Sequence, residues 1–242
     1  MLYLIGLGLS FKDISLKALE AIKNSDLVYL ETYTSSADFT VEELSKLIGK
    51  EIIPLNREQT EIKQPYLTKE KTITLLIYGD PLSATTHFDL IQQAKELGIK
   101  IEIIHSTSVL TAVAQTGLFL YKFGKTPSIP FPTPSHNPTS FYEILKQNQS
   151  ISAHTLFLLD LAPPNNFMTP TQAIDILLKL GLDKETKAIA CQALTTKDQK
   201  IISTSAKNFQ KLNWTSPPYC LIIPSELNFK EKEFLDSLTK EI

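Results

Sequence analysis

Two glycine turns hold the residues of this chain with the clearest chemical potential. Gly6-Leu7-Gly8 follows a short apolar run, and Gly79-Asp80-Pro81 follows a longer one. Glycine lets a strand end in a conformation that a Cβ disfavours, aspartate can cap a following helix, and proline fixes the turn while removing an amide that would otherwise lack a partner. Turns of this kind at the carboxyl edge of a parallel sheet are where open α/β folds bind small ligands. Thr85, Thr86 and His87 follow the second turn, at the start of the next helical pattern. The glycine pair also admits a dinucleotide-binding reading, in which Glu31 would stand where a ribose-binding carboxylate belongs. Phe11, however, holds the place of the third glycine. A glycine turn that only reverses the chain and an aspartate that only caps a helix remain open alternatives on these residues alone.

Other chemistries lack their motifs. No GxxxxGK[ST] string cradles a phosphate and no GxSxG elbow presents a serine nucleophile. His87, His105, His136 and His154 are scattered, none with a Cys or His partner at ligand spacing, so no metal site is expected. Cys191 and Cys220 lie in apolar runs without CxxC spacing and read as reduced core residues. The result is a small-ligand cleft with no nameable acid, base or nucleophile.

The elements that must position these residues alternate between strand and helix patterns. Strands are predicted at Leu2–Ile5, Leu27–Leu30, Ile52–Leu55, Ile73–Tyr78 and Ile99–Ile104. Between them, Leu16, Leu19 and Ile22 mark a helix capped by Asp13 or Ser15; Val41, Leu44, Leu47 and Ile48 mark another, stopped by Gly49; and Leu90, Ile91, Ala94 and Leu97 mark a third, ended by Gly98. This is the sign of a mainly parallel sheet. Residues 56–71 are polar, read as a surface helix or loop, and suggest no chemistry. Five prolines between Thr126 and Pro138 exclude helix there. Beyond them come helices over 139–147 and 173–180, and strands over 155–159 and near 187–193, 199–204 and 219–223, which suggests a mixed sheet. The expected architecture is two α/β domains: residues 1–120 with a mainly parallel sheet and residues 121–242 with a mixed one.

Composition narrows the function classes. At about 150 residues per domain, 242 residues make one large domain or two compact ones. A formal net charge of −2 argues against a strongly basic nucleic-acid binder, and Arg57 is the chain's single arginine, so an arginine cluster for phosphate is unavailable. No apolar stretch has the ~18 residues a membrane span needs. The first nine residues are apolar but carry two glycines and no basic leader, so they read as a strand and a cytoplasmic location is expected.

Several strings together resemble the diphthine synthase family, within the wider tetrapyrrole methylase-like class. They are MLYLIGLGL at 1–9, LETYTS at 30–35, GDPLSATTH at 79–87, Gly117 with LYKFG at 120–124, HT at 154–155 and LLD at 158–160. The glycine opening and the GDP turn mark only the wider class, whereas ATTH and YKFG are narrower. The resemblance spans about residues 1–224. It implies a two-domain α/β methyltransferase of the tetrapyrrole methylase-like fold (class III), usually a homodimer, that binds S-adenosylmethionine in the cleft between its domains and releases S-adenosylhomocysteine. The implied substrate is the modified histidine of translation elongation factor 2 on the route to diphthamide, which gains three methyls in archaeal members and a fourth, on a carboxylate, in eukaryotic ones. By position the implied cofactor contacts are Leu9, Asp80, Ser83, Ser108 and Val109, then Leu159, Ala193 and Tyr219. Two strings depart from the family pattern: Cys191-Gln192-Ala193-Leu194 stands where Ala-Arg-Ala-Gly is common, and Tyr219 stands where histidine usually follows Pro217-Pro218. Kept beside this reading are a corrinoid or porphyrin-precursor methyltransferase of the same fold, a dinucleotide-dependent oxidoreductase and a non-catalytic binding module.

Overall fold

In the computed structural model of the chain, residues 1–10, 12–33, 39–84, 87–133, 138–162 and 166–238 are described. Phe11, Thr34, Ser35, Thr85, Thr86, His136 and Asn137 lie outside them. The chain divides into two compact units, Met1–Thr111 and Ala112–Ile242.

The first unit alternates strand and helix: β1 (Leu2–Gly6), α1 (Leu16–Lys23), β2 (Leu27–Glu31), α2 (Val41–Ile48), β3 (Ile53–Leu55), β4 (Ile73–Ile77), α3 (Phe88–Glu96) and β5 (Ile101–Ile104); a short helix α4 (Val109–Ala112) follows, its last residue the first of the second unit. The sheet order is β3-β2-β4-β1-β5 and every pairing is parallel. Both faces are covered, which is why the strands read as nearly continuous apolar runs. Leu4, Leu75, Tyr29 and Leu55 pack with Leu90, Ile91 and Ala94 of α3. Ile5, Leu30 and Leu76 pack with Ala18 and Ile22 of α1 and Leu44 and Ile48 of α2.

Local signals set the helix ends. Of the two candidate caps for α1, Ser15 does the work, its hydroxyl accepting from the Ala18 N–H at 3.1 Å. Thr40 and Glu43 form a reciprocal capping box on α2, which ends at Gly49 with φ 73. The polar stretch before β4 contains a single π-helical turn, Gln59–Lys63, and buries Tyr66, whose hydroxyl donates to the Thr60 carbonyl oxygen at 2.5 Å.

The second unit holds β6 (Ser128–Ile129), α5 (Ser140–Ser150), β7 (Thr155–Leu159), a small β8–β9 ribbon (Leu161–Ala162, Asn166–Phe167), α6 (Pro170–Lys179), β10 (Lys187–Gln192), β11 (Lys200–Ser205), β12 (Tyr219–Ile223) and α7 (Phe229–Leu238). Its main sheet runs β11-β10-β12-β7-β6, antiparallel except for β6 on β7. Phe141, Leu145, Ile174, Leu177 and Phe209 close over Phe157, Ala190 and Leu221 on one face. Cys191 and Cys220 are free, buried and directly opposite each other on β10 and β12. The helix α7 has no counterpart in the sequence reading, because its pattern is too polar to stand out.

Candidate functional site

Because all strands of the first unit are parallel, their carboxyl ends share one edge, and the two glycine turns meet there. Gly8 and Gly79 form an antiparallel bridge, Gly8 N–H to Gly79 O at 3.0 Å and Gly79 N–H to Gly8 O at 2.9 Å. Both take positive φ, 79 and 73. Gly6 is required for a different reason, since a Cβ there would lie 2.5 Å from the Gly79 carbonyl oxygen. A Cβ on Gly79 would meet Leu9 Cδ2 at 3.9 Å and the Thr107 carbonyl oxygen at 4.0 Å, ordinary van der Waals contacts, so its positive φ and not crowding calls for glycine there.

Asp80 ties the loops together and does not cap α3, as the sequence had suggested, because that helix starts only at Phe88. Its Oδ1 accepts from the Leu82 N–H at 2.9 Å and the Ser83 hydroxyl at 3.2 Å, and its Oδ2 accepts from His105 Nδ1 at 2.8 Å and the Ser106 N–H at 3.1 Å. Burial alone would raise its pKa, but the Leu82 N–H, the His105 ring and the Ser106 N–H outweigh it and hold the carboxyl below its ordinary range. Asp13 plays the same part in the first loop, its Oδ2 accepting from the Leu9 and Ser10 N–H groups at 3.0 and 3.2 Å. Ser108 is buried and its hydroxyl accepts from the Leu110 N–H at 3.2 Å, while Val109 beside it is half-buried. Leu9, Asp80, Ser83 and Ser108 thus lie in the loops that follow β1, β4 and β5, and Val109 opens α4 directly after them.

Glu31, at the end of β2, is fully buried and 2.7 Å from His87 Nε2. This excludes the ribose role considered for it, since a ribose carboxylate must face the ligand. His87 Nδ1 lies 2.9 Å from the Pro81 carbonyl oxygen. Burial disfavours the imidazolium, yet the Glu31 carboxylate outweighs it and raises the His87 pKa. Tyr33 and Tyr66 are pushed up by burial and then by the Glu31 charge.

In the second unit Leu159 ends β7, Ala193 follows β10 and Tyr219 begins β12. The Ala193 N–H donates to the Pro218 carbonyl oxygen at 2.9 Å, and the Tyr219 ring meets Trp214 edge-on at 6.1 Å. Gln192 is buried with both ends of its amide used, Nε2 to the Asp198 carbonyl oxygen at 3.0 Å and Oε1 from the Thr215 N–H at 3.0 Å. Sequence reasoning missed the loop that follows it. Ala193 and Thr195 hold positive φ, 45 and 71, and the buried Thr195 hydroxyl has no hydrogen-bond partner among the described residues. Among those residues no group of three or more His, Cys, Asp or Glu is placed to hold a metal ion, and no helix is long and apolar enough to cross a membrane.

The sequence profile of the tetrapyrrole (corrin/porphyrin) methylases matches residues 1–210. The diphthine synthase of Methanococcus aeolicus is 36% identical over 100% of this chain and 99% of its own. The chain belongs to this methylase family, as a diphthine synthase. The diphthine methyl ester synthase of Dictyostelium discoideum is 36% identical over 98% of this chain and 97% of its own. A crystal structure of diphthine synthase superimposes with a TM-score of 0.91 at 34% identity, covering 99% of this chain and 96% of that one. The chain is therefore a methyltransferase, which sets aside the oxidoreductase and the non-catalytic module. Family membership implies a methyl donor.

Proposed function

We propose that the chain transfers methyl groups from S-adenosylmethionine to the amino group of the modified histidine on translation elongation factor 2, a step in diphthamide biosynthesis. The observation that carries this is the end-to-end similarity to both archaeal and eukaryotic enzymes of that name. It is joined to a fixed anion among the turns of the glycine edge. S-Adenosylmethionine, when bound, supplies a methyl group on a sulfonium sulfur that is already a good leaving group.

The proposed cofactor contacts are Leu9, Asp80, Ser83, Ser108 and Val109 in the first unit and Leu159, Ala193 and Tyr219 in the second. The four acceptor positions of the Asp80 carboxylate are used by Leu82, Ser83, His105 and Ser106. Its contribution is therefore a fixed negative charge, favourable to a cationic ligand, and the order it imposes on the loops. Methyl transfer to an amine requires a neutral nucleophile held in line and shielded from water, with no covalent enzyme intermediate. No general base is assigned.

The deciding experiment supplies labelled methyl donor and elongation factor 2 bearing the unmethylated histidine intermediate, with mass spectrometry to count methyls. Label on that histidine supports the reading, and three or four added methyls identify the product. Donor binding without label would move the assignment to a corrinoid or porphyrin-precursor substrate. In the same assay format, Asp80→Ala is expected to weaken donor binding by about tenfold or more, as loss of charge-assisted hydrogen bonds does. Unchanged affinity would remove Asp80 from the site. We also propose a homodimer acting in the cytoplasm. Sedimentation velocity should then report twice the 27.1 kDa chain mass.

A further inference from the structure

The buried Glu31–His87 pair has no part in the contacts proposed above, yet it reaches the turn that carries two of them. We propose that Glu31 and His87 are positioning residues: the carboxylate at the end of β2 orients the imidazole, and the imidazole holds the Pro81 carbonyl, fixing the Gly79–Ser83 turn for the methyl donor. This rests on the cofactor reading given above.

Hydrogen-bond accounting carries the argument. A carbonyl oxygen only accepts, so His87 Nδ1, 2.9 Å from Pro81 O, must bear a proton. The other ring nitrogen lies 2.7 Å from Glu31 Oε2, a contact that needs one further proton shared between the two groups. The pair is strongly oriented by these contacts, and both partners are almost fully buried, with side-chain exposures of 6% and 0%. An oriented, dry pair of this kind spends its hydrogen bonds on direction, because neither group can turn to water instead. Period-two alternation puts Glu31 on the same face of β2 as Tyr29, the face covered by α3, so the turn is reached from the helix that follows it. Ala84 adds an independent sign: it is an alanine at φ 55, just beyond the turn. Such a conformation persists only when its surroundings over-determine it. Asp80 fixes the chain on one side of Ala84, and His87 fixes it on the other.

The test uses the full chain and three variants, Glu31→Leu, His87→Phe and His87→Asn, with calorimetric titration of S-adenosylmethionine. Glu31→Leu and His87→Phe are expected to raise Kd by about tenfold, the size of one lost buried hydrogen bond. His87→Asn keeps a donor at the δ position for Pro81 and should recover most of that loss. Equal affinities in all four proteins, or no difference between the Phe and Asn variants, would overturn the proposal. Amide hydrogen exchange without ligand supplies the second readout. The Leu82 and Ser106 amides, which donate to Asp80, should exchange faster in Glu31→Leu while those inside β1 and β4 stay protected. Uniform loss of protection across β1 and β4 would mean a merely structural role and would also overturn it. If the unsubstituted chain does not bind the donor, the cofactor reading fails, and exchange at Leu82 and Ser106 decides by itself whether the pair holds the turn.

Discussion

At the scale of single residues, the first unit's edge is governed by two carboxylates that act on backbone. Asp13 and Asp80 each gather N–H groups from turns that glycine made possible, so each loop is held from inside before any ligand arrives. That use of Asp80 was invisible in the sequence, where an aspartate before a helical pattern reads as a cap. The His105 and Ser106 donors come from a strand end some 25 residues later. Strain is the other residue-scale feature. Thr195, a β-branched residue at φ 71, holds a conformation that costs about 1–3 kcal/mol in a non-glycine residue. Thr195→Gly should relieve it, and after the larger backbone entropy of glycine is subtracted the net gain should be about 1 kcal/mol in urea unfolding. An unchanged or lower urea midpoint would show that the loop carries no strain there.

At the scale of elements, the strings at 120–124 and 154–155 find their role in anchoring the last helix. Glu231, in the first turn of α7, is fully buried and accepts from the Phe119 N–H at 2.9 Å, His154 Nε2 at 3.0 Å, Lys122 Nζ at 2.6 Å and the Asn228 N–H at 2.7 Å. The Ser225 N–H donates to His154 Nδ1 at 3.0 Å, so the ring is neutral and its Nε2 donates to Glu231. Burial opposes the Glu231 charge, but the Lys122 ammonium and the backbone donors bring its pKa down to about 2 from 4.5. A carboxyl depressed in the folded state stabilises fully above its unfolded pKa and loses that stabilisation as pH falls through the folded one. Burial also lowers the His154 pKa, more than Glu231 raises it, so acid opposes both groups. Unfolding free energy should therefore drop between about pH 4.5 and about pH 2, by on the order of 3 kcal/mol more in the native chain than in Glu231→Gln. Parallel pH curves for the two proteins would remove Glu231 as the anchor. The sequence reading stopped short of α7 because a buried glutamate, and not an apolar stripe, is what fastens it.

At the scale of the whole molecule, stability is distributed over separate cores: two clusters sandwich the parallel sheet, and one large cluster covers the mixed sheet. Phe157, fully buried in the middle of that third cluster, should cost about 3–5 kcal/mol on replacement by alanine, read as a shift in denaturant midpoint. A loss below about 1 kcal/mol would mean that the cluster collapses to fill the space. The alternation of apolar strands with amphipathic helices by itself determined the parallel sheet of the first unit, because burial on both faces leaves a local, periodic trace in the residue types. The glycine turns and the mixed strand pattern of the second unit were equally local, and the family strings were strings in the literal sense. What only the tertiary structure decided is which polar residues meet: Glu31 with His87, Asp80 with His105 and Ser106, and Glu231 with Lys122 and His154. These partners are 25 to 109 residues apart. One buried hydrogen bond leaves no periodicity behind, so its partner becomes visible only when the sheets bring strand ends together.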